Sequence, residues 1–224
     1  MIEHIYVIGD EKNEPERINY LKKYFEGLNI RVSYFQPTFM NTLTESELSR
    51  FTEITHDRLF KASEKSLFLN FLYLFQKCVS EHTGNVLILE SDVIFEGNLS
   101  EYLFCLQGFI KEINPDIVSI GSGCDLIHDD VDTNDMNLQI YKYHKLRCAD
   151  SLIFSVKNIQ SIISYVDSYG LIDEPFDNFI DKFIKDSNSS LYWAWPSITM
   201  QGSQEGKYRS LIQNTEDSKQ TQVP

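Results

Sequence analysis

The sequence is short of positive charge. Lys and Arg number 20 against 33 Asp and Glu, a formal net charge of −13. A protein that binds nucleic acid needs a basic stripe or patch, and none is visible, so nucleic acid is excluded as a partner. Broad attachment to anionic membranes is excluded for the same reason. A nucleoside diphosphate is not, because a local metal ion can neutralise it. Cysteine is scarce as well: Cys78, Cys105, Cys124 and Cys148, with no Cys-x-x-Cys spacing. That removes a zinc site and leaves free, mostly buried thiols as the expectation, with one disulfide open. Long apolar runs are missing. The longest, Leu67 to Phe75, is interrupted by Asn70 and falls far short of the ~20 residues of a membrane span. Met1-Ile2-Glu3-His4 lacks the basic and apolar regions of a signal peptide. The expectation is a soluble cytoplasmic protein, in the host cytoplasm if the source is viral.

Apolar residues, by contrast, make up 42% of the 224 positions, enough for one sizeable core. No linker, internal repeat or low-complexity tract divides the chain. Residues 2–8 read as a strand. Ile18, Leu21 and Phe25 keep helical spacing across 16–26, and 32–35 return to strand. A strand–helix–strand unit of this length predicts parallel pairing. Thr44-Glu45-Ser46-Glu47 predicts a short helix with a capping box. Ser63 is the expected cap of a helix running to about Glu81, whose apolar residues cover most of its circumference. Such a helix packs on a sheet and is covered outside too. Further strands are predicted over 86–89, 116–120, 138–143, 151–156 and 191–195, and helices over 99–113, 157–169 and 175–185. The Asp-rich stretch 124–137 reads as a solvated loop. The expected fold class is α/β: a Rossmann-like three-layer α/β/α sandwich around a mixed, mainly parallel central sheet. It forms one domain over 1–213, followed by a disordered tail at 214–224.

One stretch carries chemistry. In Gly84-Asn85-Val86-Leu87-Ile88-Leu89-Glu90-Ser91-Asp92-Val93-Ile94-Phe95 an apolar run ends in two carboxylates one residue apart. On an extended backbone Glu90 and Asp92 would share a face. Two acids leaving a buried strand together are costly without a cation between them. A divalent metal carrying a phosphate-bearing ligand is the usual answer. This DxD-like triplet therefore points to sugar-nucleotide chemistry, with Asp92 and Glu90 as metal ligands. In open α/β sheets ligands sit beyond the carboxyl ends of the strands, where the triplet falls.

Four stretches, in order, resemble glycosyltransferase family 25, the lipooligosaccharide and collagen glycosyltransferases. The opening strand followed by Glu16-Arg17 and Leu21 is similar to the family's start. Ser63-Glu64 leads into its helix as the family's Gly-Glu does. Leu87 to Val93 is similar to the family's leucine-glutamate-acid-acid motif. Asp177 after Pro175-Phe176, then Pro196 and Gln201, resemble its late Asp, Pro and Gln. The resemblance runs through most of residues 1–212. Two positions depart from it: Asn70-Phe71 stands where the family has Ser-His, and Ser91 where it has a middle acid.

The resemblance implies a GT-A-like fold, with a nucleotide-sugar-binding half over about 1–97 and an acceptor half over about 98–213. It implies a nucleotide-sugar donor (a UDP-sugar), Mn2+ or Mg2+, a glycan or glycoprotein acceptor, and inversion at the transferred carbon. Donor-binding candidates are Ile8, Gly9, Arg17, Glu64, Glu90, Ser91 and Gln201. Arg17 offers a guanidinium to a base or diphosphate. The polar segment 201–209 would fold over the nucleotide, bringing Gln201, Lys207 or Arg209 to the diphosphate. An inverting enzyme needs a carboxylate to take the acceptor proton. Asp177 is the first candidate and Asp150 the second. Trp193 and Trp195 share one side of a strand and suit the core before a sugar platform. Homodimerisation is left open. A non-catalytic nucleotide- or glycan-binding protein is the main alternative. A nucleotidyltransferase is disfavoured by the acidic Gly9-Asp10-Glu11 where a basic Gly-rich loop would stand.

Overall fold

The computed structural model describes residues 2–208 apart from 124, 125, 134 and 136. The expected tail at 214–224, Cys124 and Arg209 lie outside the described residues. β1 (Ile2–Ile8) leads through α1 (Pro15–Phe25) into β2 (Arg31–Phe35), which lies parallel to β1. Pro15 opens α1 where a helix needs no N–H partner. Thr44 and Glu47 cap α2 (Glu45–Leu48) reciprocally, the expected capping box. A small antiparallel ribbon follows, β3 (Ile54–Thr55) with β4 (Arg58–Leu59).

The long helix α3 (Ala62–Glu81) starts earlier than the sequence suggested. Lys61, not Ser63, is the N-cap residue. Its backbone N–H donates to the Glu64 carboxylate at 3.1 Å, so Glu64 supplies the cap from inside the first turn. Then come β5 (Asn85–Glu90), β6 (Val93–Phe95), α4 (Leu99–Ile113), β7 (Ile117–Ser119), β8 (Gln139–Tyr143) and β9 (Ser151–Ser155). The described elements end with α5 (Val156–Tyr169), α6 (Phe176–Ser187), β10 (Leu191–Trp195) and β11 (Thr199–Gln201).

Seven strands form one sheet in the order β2-β1-β5-β9-β7-β10-β8. β9 runs antiparallel to β5 and β7, and β8 antiparallel to β10; the other neighbours are parallel. Five of its seven strands thus run in one direction and β8 and β9 in the other, a mixed and mainly parallel sheet. Both faces are covered. Val86 and Ile88 of β5 join one apolar cluster with residues of α3, α5 and α6, while Leu87 and Leu89 join another with α1 and α4. Period-two alternation on a strand buried from both sides explains its unbroken apolar run. The result is the three-layer α/β/α sandwich expected from the sequence. α3 is covered on its outer side, as its all-round apolar surface required: Phe71 stacks on Phe176 of α6 with ring centroids 3.8 Å apart. Among the described residues no helix is long and apolar enough to cross a membrane.

Candidate active site

The carboxyl ends of β1, β2 and β5 lie side by side, with Ile8 paired to both Phe35 and Glu90. Beyond them opens a cavity of about 310 Å³. Ile8, Arg17, Glu90, Ser91, Asp92, Asp177 and Gln201 line it. The structure therefore brings together most of the residues singled out from the sequence, though they lie as far apart as 8 and 201.

The acidic triplet is arranged differently from the extended backbone first inferred. β5 ends at Glu90, and Ser91 and Asp92 form a turn before β6. A continuous strand would have sent Ser91 to the opposite face. The turn lets all three side chains line the cavity.

Ser91 ties the turn to α1. Its hydroxyl donates to Glu14 Oε1 at 2.5 Å. Arg17 Nη1 donates to the same oxygen at 2.7 Å and to Ser91 Oγ at 3.3 Å. All three side chains are buried. Burial pushes the Glu14 carboxyl up, opposed by Ser91 and Arg17. Gly9 makes the approach possible, because a Cβ there would fall 2.5 Å from the Ser91 Cβ. Gly9 thus packs beneath the triplet and is not among the lining residues.

Asp92 is 7% exposed. Its Oδ2 accepts a hydrogen bond from Ser203 Oγ at 2.5 Å, and its Oδ1 is buried without a hydrogen-bond partner among the described residues. The antiparallel β6–β11 pair, with Gln201 opposite Val93, brings the turn after Gln201 over the carboxylate. Tyr208 lies beyond, with the Arg17 guanidinium 5.3 Å from its ring centre. The segment starting at Gln201 does fold over the cavity mouth, but Lys207 is turned to the Tyr20 ring, 5.1 Å away.

Other acids crowd the same region. Burial, then Asp92, Asp177, Asp150 and Glu14, pushes the Glu90 carboxyl well up. Burial raises Asp177 to about 6, with Asp181 adding repulsion and the Ala149 backbone opposing it. Burial and Asp92 raise Asp150 to about 7, against the pull of Arg147. Asp150 is wholly buried and is not a lining residue. It packs so tightly on Gly121 that a Cβ there would lie 2.2 Å from its Oδ2. Glu64 is also absent from the lining. Arg58 grips its carboxylate at 2.7 and 2.8 Å.

The structure adds wall residues that the sequence did not mark. Asn70, seen only as a departure from the family pattern, is buried. It accepts from the Thr38 N–H at 3.0 Å and donates to the Thr38 carbonyl at 3.1 Å. Gln36 follows β2, and its Oε1 is buried without a partner among the described residues. Phe39, Met40 and Leu67 give this side an apolar surface. Cys148 lines the opposite side and accepts from Gln201 Nε2 at 3.1 Å. Single polar residues in loops form no periodic pattern; the Asn70 departure was the one available signal. Trp193 is a core residue whose Nε1 donates to the Lys145 carbonyl at 2.8 Å.

Comparisons with known proteins bear on this geometry. A glycosyltransferase 25 family member of Aedes aegypti is 29% identical over 103 residues, 42% of this chain and 17% of that relative. The matched stretch thus spans under a fifth of the relative's length. The crystal structure of mouse xyloside xylosyltransferase 1, apo form, superposes with a TM-score of 0.43 at 9% identity. That superposition covers 85% of this chain and 84% of the other. The family model for glycosyltransferase family 25 (LPS biosynthesis protein) matches residues 2–185. That span takes in Arg17, the Glu90-Ser91-Asp92 turn and Asp177, and the chain belongs to glycosyltransferase family 25.

Proposed function

We propose that this chain is a glycosyltransferase that moves a sugar from a nucleotide-sugar donor, a UDP-sugar, to an acceptor hydroxyl on a glycan or protein. The observation that carries the reading is Asp92. A buried carboxylate oxygen without a partner is costly, and this one stands among other acids at the edge of a ligand-sized cavity. A divalent cation fits that need. Among the described residues no three His, Cys, Asp or Glu side chains form a metal site by themselves. Asp92 and Glu90 would therefore hold Mn2+ or Mg2+ jointly with diphosphate oxygens and water. The metal, when bound, neutralises charge on the leaving diphosphate.

The chain's own residues divide the remaining work. Arg17, fixed by Glu14 and Ser91, adds positive charge at the phosphate side. Phe39, Met40 and Leu67 offer an apolar bed for a base, and the Gln36 carbonyl oxygen offers an acceptor for its imide N–H. Asp177 is the base that takes the acceptor proton, in an inverting displacement. It lines the cavity, whereas Asp150 is sealed beneath it. A value near 6 leaves Asp177 ionised at neutral pH yet more basic than an ordinary carboxylate. Residues 1–97 then supply most of the donor wall, and residues 98–213 the acceptor side.

The test is turnover of UDP-sugars with Mn2+, followed as transfer and as slow donor hydrolysis. Asp92→Asn is expected to lower both at least a hundredfold. A variant that binds and turns over the donor like the wild type would sink the reading. Donor binding without any turnover in the wild-type chain would instead select the binding-only alternative.

A further inference from the structure

A second concavity, of about 420 Å³, lies along α6 and has the opposite charge character. Lys142, His144 and Lys145 form one wall and Lys182 and Lys185 the other. In a chain of net charge −13 this gathering of cations is unusual. Lys182 is already balanced, with Asp173 at 3.6 Å and Glu174 at 3.4 Å. Among the described residues Lys142, Lys145 and Lys185 make no ion pair. The one carboxylate in the lining, Asp181, accepts the Leu146 backbone N–H at 2.6 Å and is drawn by charge to Lys145 and His144, which leaves Lys142 and Lys185 without a carboxylate in the lining to balance them. The Leu146 bond also pins the lysine-bearing segment to α6, as the Trp193 bond to the Lys145 carbonyl pins it to β10. The backbone of that segment is therefore held in place before any ligand arrives.

The groove adjoins the donor cavity through two shared elements. Asp177 of α6 lines the cavity, and Asp181, one turn on, lines the groove. The rise of a helix puts Asp181 roughly 6 Å and Lys185 roughly 12 Å beyond Asp177. Cys148 lines the cavity, and Lys145, three residues earlier, lines the groove. A glycan presenting its hydroxyl to Asp177 would run on along α6. The Tyr143 ring lies in the same lining but is packed against Trp193 at 4.1 Å and His144 at 4.5 Å, so the lysine ammonium groups are what the groove presents to a ligand. A narrow concavity suits a sugar residue better than a flat bilayer.

We propose that this groove binds a negatively charged sugar of the acceptor, one bearing a phosphate or carboxylate. The proposal rests on the glycosyltransferase reading above. It is tested by titrating the isotope-labelled chain with glucose 6-phosphate, and with glucose as the neutral control, in the presence of saturating UDP and diamagnetic Mg2+. Amide shifts are expected over 142–145 and 181–189 with the phosphosugar alone. Lys145→Glu/Lys185→Glu is expected to weaken that binding at least tenfold while leaving donor hydrolysis unchanged. Should the double reversal fail to fold, Lys145→Gln/Lys185→Gln is expected to weaken it at least threefold. Equal shifts with glucose, shifts away from the groove, or indifference to both double variants would overturn the proposal. So would lysine-dependent sedimentation with phosphatidylserine vesicles in place of sugar binding. Groove binding in a wild-type chain that never turns over a donor would overturn the glycosyltransferase reading, and the acceptor role with it. Normal donor turnover without groove binding would overturn the groove alone.

Discussion

Ser91 stands where the resembled motif has an acid, and its hydroxyl makes a bond that an acid could not. It donates to Glu14 Oε1 at 2.5 Å. A carboxylate in its place would face Glu14 with a single guanidinium, Arg17, between them. Ser91→Asp is therefore expected to destabilise the fold by about 3–5 kcal/mol, the cost of an uncompensated buried charge. Ser91→Asp/Glu14→Gln should recover most of it, and urea denaturation of the three proteins checks the coupling. Asp177 gives a second prediction. Its folded value of about 6 lies above the ordinary ~3.9 of an unfolded chain, so protonation favours the folded state. The stabilising contribution is full below the unfolded value and is lost as pH rises through about 6. Asp177→Asn removes that loss. At pH 8 the variant is expected to melt higher than the wild type, with the gain shrinking towards pH 4, while transfer falls at least a hundredfold. Melting curves across pH and a transfer assay read the two effects separately.

At the scale of elements, α6 both packs the core and carries Asp177, the proposed base. Phe176 stacks on Phe71 and meets Phe68 edge-on at 5.7 Å. Phe176→Ala is expected to cost about 3–5 kcal/mol, measured by urea denaturation, and to lower transfer further by loosening the turn that holds Asp177. The larger elements were legible because their patterns are strong. β1, α1 and β2 alternate cleanly, α4 was bounded at both ends, and the apolar run of β5 announced a central strand. β3, β4, β6 and β11 were missed because two or three residues carry no period. That omission mattered, since β6 and β11 carry Ser203 to Asp92. It also hid the turn at Ser91, which an extended reading had turned away from the cavity. Of the site, the acids were readable from their placement after an apolar run. Glu14, Gln36 and Cys148 were not, because their role exists only once distant segments meet.

At the scale of the molecule, the cavity is where two parts of one chain join. Its floor comes from the ends of β1, β2 and β5. Asp177, Cys148, Gln201 and Ser203 close it from the later residues. Ligand binding here should therefore stabilise the chain as a unit. A ligand at a hundred times its dissociation constant contributes about 2.7 kcal/mol. In a domain of this size each kcal/mol moves the melting temperature by roughly 2–4 °C. UDP with Mn2+ is thus expected to shift the whole melting curve upward by about 5–10 °C. EDTA should remove most of that shift, and Asp92→Asn should remove the part that depends on metal. The shape of the transition matters as much as its midpoint. A single transition that moves intact is expected, because no described element on either side of the cavity has a core of its own: β5 and β9 pair directly and place residues from both parts in the same two apolar clusters. A curve that split, with only residues 1–97 stabilised, would contradict both the expected single domain and the proposed shared site.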